Sequence, residues 1–311
     1  MIAGPLLVLS MLAASGGDII YAQQTVAGAT LTIEIRQPID DEKAAALVAW
    51  LRDTALLVNQ AYGRFPNPAP HIVVIPSAGS SRNSDKAVYF GRVTRRGQET
   101  IELFINADRP ISEFYEDWTA THEFSHLMLP LLSRRYRWIS EGFASYYQNI
   151  LMSRSGRYTP ELAWQRIGEG FGRGETSGPG LTLNEAAASG IRDARMKIYW
   201  SGAAIALLAD IELRQRSDGG QSLDSVLGQL QQCCLPSSRR WSGTRLFEKL
   251  DSFLDTPVFM PLYRQYANAQ GFPDMQPVLQ GLGVRLGSDE AALDNEQPLS
   301  SIRRAIDHSI Q

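Results

Sequence analysis

Two histidines four residues apart, His122 and His126, are the feature that most restricts how this chain can fold, because their use depends on a helix. On an α-helix, residues i and i+4 lie on the same face, so the two imidazoles can bind one metal ion from adjacent turns. Glu123 then lies beside the ion, where a carboxylate can take a proton from water that the metal has made more acidic. The pattern predicts a helix that carries a zinc (Zn²⁺) site.

A third ligand is needed, because a catalytic zinc ion takes three protein ligands and keeps one coordination position open. Glu141 is the candidate: it lies in residues 138–147, WISEGFASYY, where we expect it to open a second helix. The stretch after His126 is long enough for the first helix to end near Pro130 and for the chain to double back. The geometry is therefore feasible for Glu141 as a third ligand beside His122 and His126.

The segments HEFSH and WISEGFASYY together resemble the gluzincin zinc metallopeptidases, whose second zinc-binding element reads roughly W-L-x-E-G-F-A-x-Y. Residues 199–203, YWSGA, are similar to the Y-x-K-G element of aminopeptidases and of glycyl-aminopeptidase-like members of that clan, and residues 203–230 resemble the latter as well. The resemblance implies zinc ligation by His122, His126 and Glu141. It also implies a general-base role for Glu123 and an oxyanion-binding role for Tyr199.

The sequence departs from that clan in three ways. The histidine-to-glutamate spacing is shorter than in its long-chain aminopeptidases and looks like that of its smaller members. Ser201 stands where the Y-x-K-G element has lysine. No G-x-M-E-N-type or G-G-x-E-type strand is present, and that element reads the free amine of an aminopeptidase substrate. The choice between endopeptidase and aminopeptidase therefore stays open.

The fold class that we expect is α+β and zincin-like: a small mixed β-sheet with the active-site helix, followed by a mainly helical C-terminal half. The expected division is a signal peptide over residues 1–22, an N-terminal α/β part over 23–130 and a helical part over 131–311 that completes the cleft. We expect Glu141 and Tyr199 to lie in the helical part.

Alternating polar and apolar residues predict a strand at residues 30–35, and acids at 40–42 precede an apolar stripe that predicts a helix ending near Gly63. Further strands are predicted at 71–76, 88–90 and 100–105, with a Ser, Gly and Asn-rich loop after the first of them. The last strand is either the sheet edge that pairs with an extended peptide or an internal strand.

Beyond Glu141 the sequence predicts mostly helix, at residues 196–216, 222–232, 243–253, 258–269 and 274–282. The exception is the glycine-rich stretch 169–180, where the glycines predict a loop that is either a lid near the cleft or an inert surface loop.

The N-terminal residues 2–14 are almost all apolar and uncharged, and an alanine-ended cleavage at Ala22 would fit a secretory signal peptide. This predicts export to the periplasm or the medium. Because no Lys or Arg precedes the apolar run, an uncleaved membrane anchor or a buried N-terminus is the alternative.

A formal net charge of −3 gives no reason to expect nucleic acid or an anionic membrane as a partner. The basic cluster Arg134, Arg135 and Arg137 is either a solvated turn or a contact for a substrate carboxylate. The only cysteines are Cys233 and Cys234. We expect two partly buried thiols there, with a vicinal or an intermolecular disulfide as the alternatives in an oxidising compartment.

Taken together, these patterns predict a zinc-dependent peptidase that acts on a peptide or protein substrate by metal-activated water. The alternatives are a zinc hydrolase of a non-peptide bond and an inactive exported protein that binds peptides in a peptidase-like groove. The sequence leaves the substrate side chains and the oligomeric state open.

Overall fold

A six-stranded mixed sheet opens the chain, in the computed structural model that describes residues 11–12, 19–36, 39–61, 63–76, 85–95 and 97–308. The strands are β1 Met11–Leu12, β2 Ile19–Val26, β3 Ala29–Arg36, β4 His71–Pro76, β5 Val88–Thr94 and β6 Thr100–Ile105. They lie in the order β1-β2-β3-β4-β6-β5, with β3, β4 and β6 parallel and the other neighbours antiparallel.

Helices make up most of the remainder. They are α1 Asp41–Asn59, α2 Ile111–Glu116, α3 Thr119–Ser125, α4 Arg137–Arg154, α5 Pro160–Glu175, α6 Leu183–Ser189, α7 Arg195–Arg216, α8 Leu223–Cys234, α9 Gly243–Asp251, α10 Phe259–Tyr266, α11 Gln276–Gly281 and α12 Ser300–Asp307. A short hairpin of β7 Val284–Arg285 and β8 Ala292–Leu293 lies between the last two helices. The α+β, zincin-like arrangement predicted from the sequence is confirmed.

The predicted strands and the first helix form for the reasons read from the sequence. Leu31, Ile33 and Ile35 of β3 are fully buried, as the alternation requires. The Asp40 side chain accepts a hydrogen bond from the backbone N–H of Lys43 and so caps α1, which packs its apolar stripe into the core. One cluster of buried apolar side chains runs from the sheet into the helical half. The division at residue 130 stays a prediction.

The edge of the sheet next to the active-site helix is β5, and α3 lies against it. Of the two alternatives for residues 100–105, the internal strand is correct, because β6 pairs with β4 on one side and with β5 on the other. Any extended peptide that added to this side of the sheet would therefore pair with β5. The sequence predicted only the first three residues of that strand, which continues to Thr94.

Helices α4 and α7 cross at two glycines, and this contact sets the distance between the helix that carries Glu141 and the helix that carries Tyr199. A Cβ added to Gly142 would lie 2.2 Å from the backbone of Gly202, and one added to Gly202 would lie 2.0 Å from the carbonyl oxygen of Trp138. Side chains at these positions would hold the helices apart. The glycines of the EGFA and YWSG segments thus allow the helix with Glu141 to touch the helix with Tyr199.

We predict that Gly142→Ala destabilises the fold by about 1–3 kcal/mol, because the added methyl group has no space between the two backbones. Urea unfolding of the variant measures this difference. Gly172→Ala is the matched control, since that helical glycine has nothing within 4 Å of an added Cβ. The control should gain up to about 1 kcal/mol from the better helix propensity of alanine. Equal stability of the Gly142 variant and the wild type would contradict the close contact.

Three expectations from the sequence are corrected by the structure. The glycine-rich stretch is helical as far as Glu175, and its glycines serve close packing: Gly170 faces the Trp200 side chain, and Gly174 faces Phe272 and Trp200, with no room for a Cβ at either position. Glu141 lies in the second turn of α4 and does not open it. Cys233 and Cys234 form a vicinal disulfide instead of two thiols.

The predicted leader and the predicted Ser, Gly and Asn-rich loop fall largely outside the described residues. Of the leader, the structure describes 11–12 in β1 and 19–22 in β2, and the latter pair with β3. The signal peptide therefore stays a prediction. Among the described residues, we find no helix with the length and apolar character that a membrane span requires.

Candidate active site

The two histidines lie at the C-terminal end of α3, which is a short and fully buried helix. His122 is in its last turn, and His126 follows directly in a 3₁₀ turn, His126–Met128. Their ring centroids are 4.8 Å apart. The i, i+4 spacing therefore places both imidazoles on one side of the helix, facing α4.

Glu141 meets both imidazoles from α4. Its Oε2 lies 3.4 Å from Nε2 of His122 and 3.5 Å from Nε2 of His126. In a tetrahedral zinc site with bonds of about 2.0–2.2 Å, neighbouring ligand atoms lie roughly 3.3–3.6 Å apart. The two distances from Glu141 Oε2 to the imidazole nitrogens therefore match the ligand spacing of a zinc site. His122, Glu123 and His126 also offer ligand atoms within 4.8 Å of one another.

The charges of the site favour a cation. Burial lowers the pKa of His122, but its hydrogen bond with Glu141 and the charges of Glu123 and Glu141 outweigh that effect and raise the pKa above its ordinary value. Burial alone would raise the pKa of Glu141, whereas His126 and His122 hold it well below its usual range. A carboxylate that stays ionised between two imidazoles is suited to bind a metal ion.

The other nitrogen of each imidazole has its own partner. Nδ1 of His122 lies 2.7 Å from Oε1 of Gln148, and Nδ1 of His126 lies 3.0 Å from Oγ of Ser140. When each Nδ1–H donates to its oxygen, each Nε2 is left with a lone pair directed at Glu141. Such partners fix the tautomer and the orientation of metal-binding histidines, and the donor set therefore fits zinc.

Glu123 is buried, with 7% of its surface exposed, and it points toward the edge strand. Burial raises the pKa of its carboxyl group, while the nearby histidines act in the opposite direction. Space for this side chain comes from Gly91 of β5, since a Cβ there would lie 2.5 Å from Cγ of Glu123. The glycine allows the edge strand to pass close over the carboxylate.

Tyr199, in the second turn of α7, completes the group. Its ring stacks on the imidazole of His122 with centroids 5.9 Å apart and an angle of 14° between the planes. Burial and the charges of Glu141 and Glu123 raise the pKa of its hydroxyl well above its ordinary value. At neutral pH the residue is therefore a neutral hydrogen-bond donor beside the ligand cluster.

These side chains line a cleft with two arms that meet at Gly91, Glu123 and Tyr199. We call the cavity of about 350 Å³ that also includes His126, Ser140 and Glu141 the narrow arm. The wide arm is a cavity of about 660 Å³ that includes His122, Gln148 and residues of α5. The edge strand β5 borders both arms, through Phe90 and Gly91.

The basic cluster divides in the structure. Arg137 lines the narrow arm, whereas Arg134 and Arg135 are exposed on the connection before α4. A second arginine that the sequence did not single out, Arg95, forms an ion pair with Glu99 and donates a hydrogen bond of 2.6 Å to the backbone carbonyl of His126. Arg95 thus ties the end of the edge strand to the turn that carries His126.

The sequence reasoning missed Gln148, Ser140 and Gly91. Gln148 follows Glu141 by seven residues, two helical turns later on the same face of α4, so helix periodicity was a signal for it. Ser140 directly precedes Glu141 in the chain. Gly91 belongs to a strand whose place at the sheet edge appears only in the folded chain.

We predict that Gln148→Ala weakens zinc binding by roughly 10- to 100-fold, because the imidazole of His122 loses the acceptor that fixes its tautomer. Competition with a chromogenic chelator measures the affinity. Gln148→Glu, which keeps an acceptor oxygen, should retain most of it. Equal affinities of the alanine variant and the wild type would show that Gln148 does not orient the ligand.

Compared by sequence, the chain matches no family model and no curated protein. Its structure is similar to that of an aminopeptidase N family protein from Idiomarina loihiensis, with a TM-score of 0.67 and 15% identity over 91% of this chain and 53% of that one. It is also similar to a variant of the M1 zinc metallopeptidase from Deinococcus radiodurans bound to a Tyr-Ser-Ala substrate, with a TM-score of 0.52 and 13% identity over 83% and 54% of the two chains.

Native yeast LTA4 hydrolase is a further similar structure, with a TM-score of 0.56 and 12% identity over 88% of this chain and 42% of that one. At these identities the comparisons establish the fold, which is that of the M1 zinc metallopeptidases. The resemblance to gluzincins seen in the sequence is confirmed at that level. The chain spans about half the length of these structures, or less.

Proposed function

We propose that the chain is a zinc-dependent peptidase. The observation that carries the proposal is the meeting of Glu141 Oε2 with both imidazole Nε2 atoms at 3.4 and 3.5 Å, with Glu123 and Tyr199 beside them in one cleft. A structural zinc site is closed by four protein ligands and needs no base. Three ligands beside a buried carboxylate and a phenol are suited to hydrolysis.

His122, His126 and Glu141 would hold the zinc ion, which polarises the scissile carbonyl and makes a water molecule more acidic when it is bound. Glu123 would take the proton of the attacking water on its carboxylate and pass it to the departing amine. The raised pKa of Glu123 suits a group that must both accept and return a proton. Tyr199 would donate its O–H to the oxyanion of the tetrahedral intermediate.

We predict that Tyr199→Phe lowers kcat by roughly 10²- to 10³-fold and changes KM little, because the donated hydrogen bond matters only once negative charge develops. Steady-state kinetics with a cleavable peptide separate the two constants. Tyr263→Phe is a suitable control, since that tyrosine packs on Trp138 away from the cleft lining. An unchanged kcat in the Tyr199 variant would remove its oxyanion role.

The experiment that tests the proposal combines elemental analysis of protein purified without chelators with cleavage-site mapping on a mixed peptide pool. Stoichiometric zinc together with cleaved peptide bonds would support a peptidase. Zinc without any peptide cleavage would favour hydrolysis of a non-peptide bond. Protein without metal would favour a peptide-binding groove that lacks turnover. The mapped sites would also distinguish endopeptidase from aminopeptidase activity.

We further propose that the chain works in an exported, oxidising environment. The apolar N-terminal residues and the vicinal disulfide of Cys233 and Cys234 support this, because disulfides persist mainly outside the reducing cytosol. Fractionation of the native host with an antibody against the C-terminal helix would test the location.

A further inference from the structure

The wide arm of the cleft is basic, although the chain has a formal net charge of −3. Apart from Glu123, the described part of its lining contains four basic side chains and a single acidic one. The basic residues are Lys86, Arg166, Arg173 and Arg195, and the acidic one is Glu169. Positive charge gathered in a cleft of an acidic protein raises the local concentration of anions.

Two of the basic side chains already face carboxylates. Arg173 forms an ion pair with Glu169 at 3.8 Å, and Lys86 acts electrostatically on Asp117. Arg166 instead lies over the ring of Tyr158 at 4.2 Å and donates a hydrogen bond to its hydroxyl. Because Tyr158 has a pKa raised by burial to about 12, it is neutral and does not cancel the charge of Arg166.

Arg195 has a different environment. It is exposed in the first turn of α7, four residues before Tyr199, and it lines the wide arm. Within the described part of the chain, neither Arg195 nor Arg166 lies within ion-pair distance of an acidic group. The wide arm thus offers two guanidinium groups whose charges no described carboxylate balances.

The carboxylates at the centre of the cleft do not change this balance. Glu141 and Glu123 together carry two negative charges, and a zinc ion held there would carry two positive ones. Besides Glu123 and Glu141, the described lining of the narrow arm contains no acidic residue. Arg92 and Arg95 of this arm form ion pairs with Glu102 and Glu99, which lie outside it. Arg137 forms no ion pair with a described residue.

We infer that the substrate is an acidic peptide and that the wide arm receives an acidic side chain next to the bond to be cleaved, where Arg166 and Arg195 bind its carboxylate. Guanidinium groups suit this role, because they match a carboxylate in geometry and stay charged at all relevant pH values. The inference rests on the proposed peptidase function, since it names the substrate class for the same cleft.

The test uses the zinc-loaded Glu123→Gln variant, which keeps the cleft but should not turn over. The ligands are fluorescently labelled peptides that carry Asp or Glu at the cleavage sites mapped for the wild type, or at each position of a short peptide in turn. Each is compared with a matched peptide that carries Asn or Gln at the same position. We expect roughly tenfold tighter binding of the acidic peptide by anisotropy, since hydrogen bonds to a charged group contribute more than those to an amide. The difference should shrink as salt is added.

Arg195→Gln and Arg166→Gln in the same background should each reduce the preference by roughly three- to fivefold, as expected for partly exposed ion pairs. Arg195 has no described partner to lose, so its variant tests the inference even if replacement of Arg166 disturbs the contact with Tyr158. Arg240→Gln, which removes the same charge from an exposed position outside the cleft lining, is the matched control.

Equal binding of the acidic and amide peptides would overturn the inference, and so would arginine variants that behave like the Arg240 control. The failure of the proposed function has a different result. If the wild type cleaves no peptide while the Glu123 variant still binds the acidic peptide more tightly, the wide arm binds anions but the chain is not a peptidase. Cleavage of neutral and acidic peptides at equal kcat/KM would support the peptidase function and refute the preference for acidic peptides.

Discussion

Replacement of Glu123 by Gln is expected to lower kcat/KM for peptide cleavage by roughly 10²- to 10⁴-fold while the zinc content stays at one ion per chain. The amide has nearly the shape of the carboxylate, so it should fit beneath Gly91 without moving α3. It cannot take a proton from the attacking water or return one to the amine. Steady-state kinetics and elemental analysis on the same preparation measure both quantities.

The control is Glu116→Gln, which removes an exposed carboxylate at the end of α2 outside the described cleft lining. It should retain wild-type turnover. Loss of zinc together with activity in the Glu123 variant would mean that this residue holds the metal and is not the base. Full turnover in that variant would refute the base assignment.

Glu141→Ala should bring the zinc content well below one ion per chain, because it removes one of only three ligands and leaves two imidazoles to hold the ion. Activity should fall in proportion to the metal lost. Its carboxylate also lies between both histidines at 3.4 and 3.5 Å, so removal takes away the charge that favours a cation there. Elemental analysis after dialysis against buffer without metal gives the result.

Glu116→Ala serves as the comparison for the Glu141 variant and should keep its zinc. Stoichiometric zinc in the Glu141 variant would mean that a different residue is the third ligand. Glu141→Asp adds a further check: its shorter side chain keeps the charge but withdraws the oxygen by about one C–C bond, so we expect intermediate affinity.

The parts of the fold and site that follow local rules could be predicted from the sequence. The strand over residues 30–35 could be predicted because its alternate side chains face the core. Helix α1 could be predicted because acidic residues precede an apolar stripe. The meeting of His122 with His126 follows from helix geometry alone. The meeting with Glu141 needed the family resemblance, since nothing local brings α4 to α3.

What the sequence reasoning missed depends on contacts between distant segments. The glycines of α5 resemble loop glycines in sequence, and only the folded chain shows that Gly170 and Gly174 make room for Trp200 and Phe272. The edge position of β5 depends on strand order, which no single strand encodes. Arg166 and Arg195 of the wide arm come from α5 and α7, so the two charges line one cavity only after folding.

The backbone contact of Gly142 with Gly202 has a consequence for how the chain can vary. Because main-chain atoms lie so close there, the spacing of α4 and α7 at this crossing is set by the backbones and not by side-chain size. Substitutions of core side chains away from the two glycines should therefore leave this spacing unchanged. If α4 and α7 were forced apart, Glu141 and Tyr199 would move away from each other together.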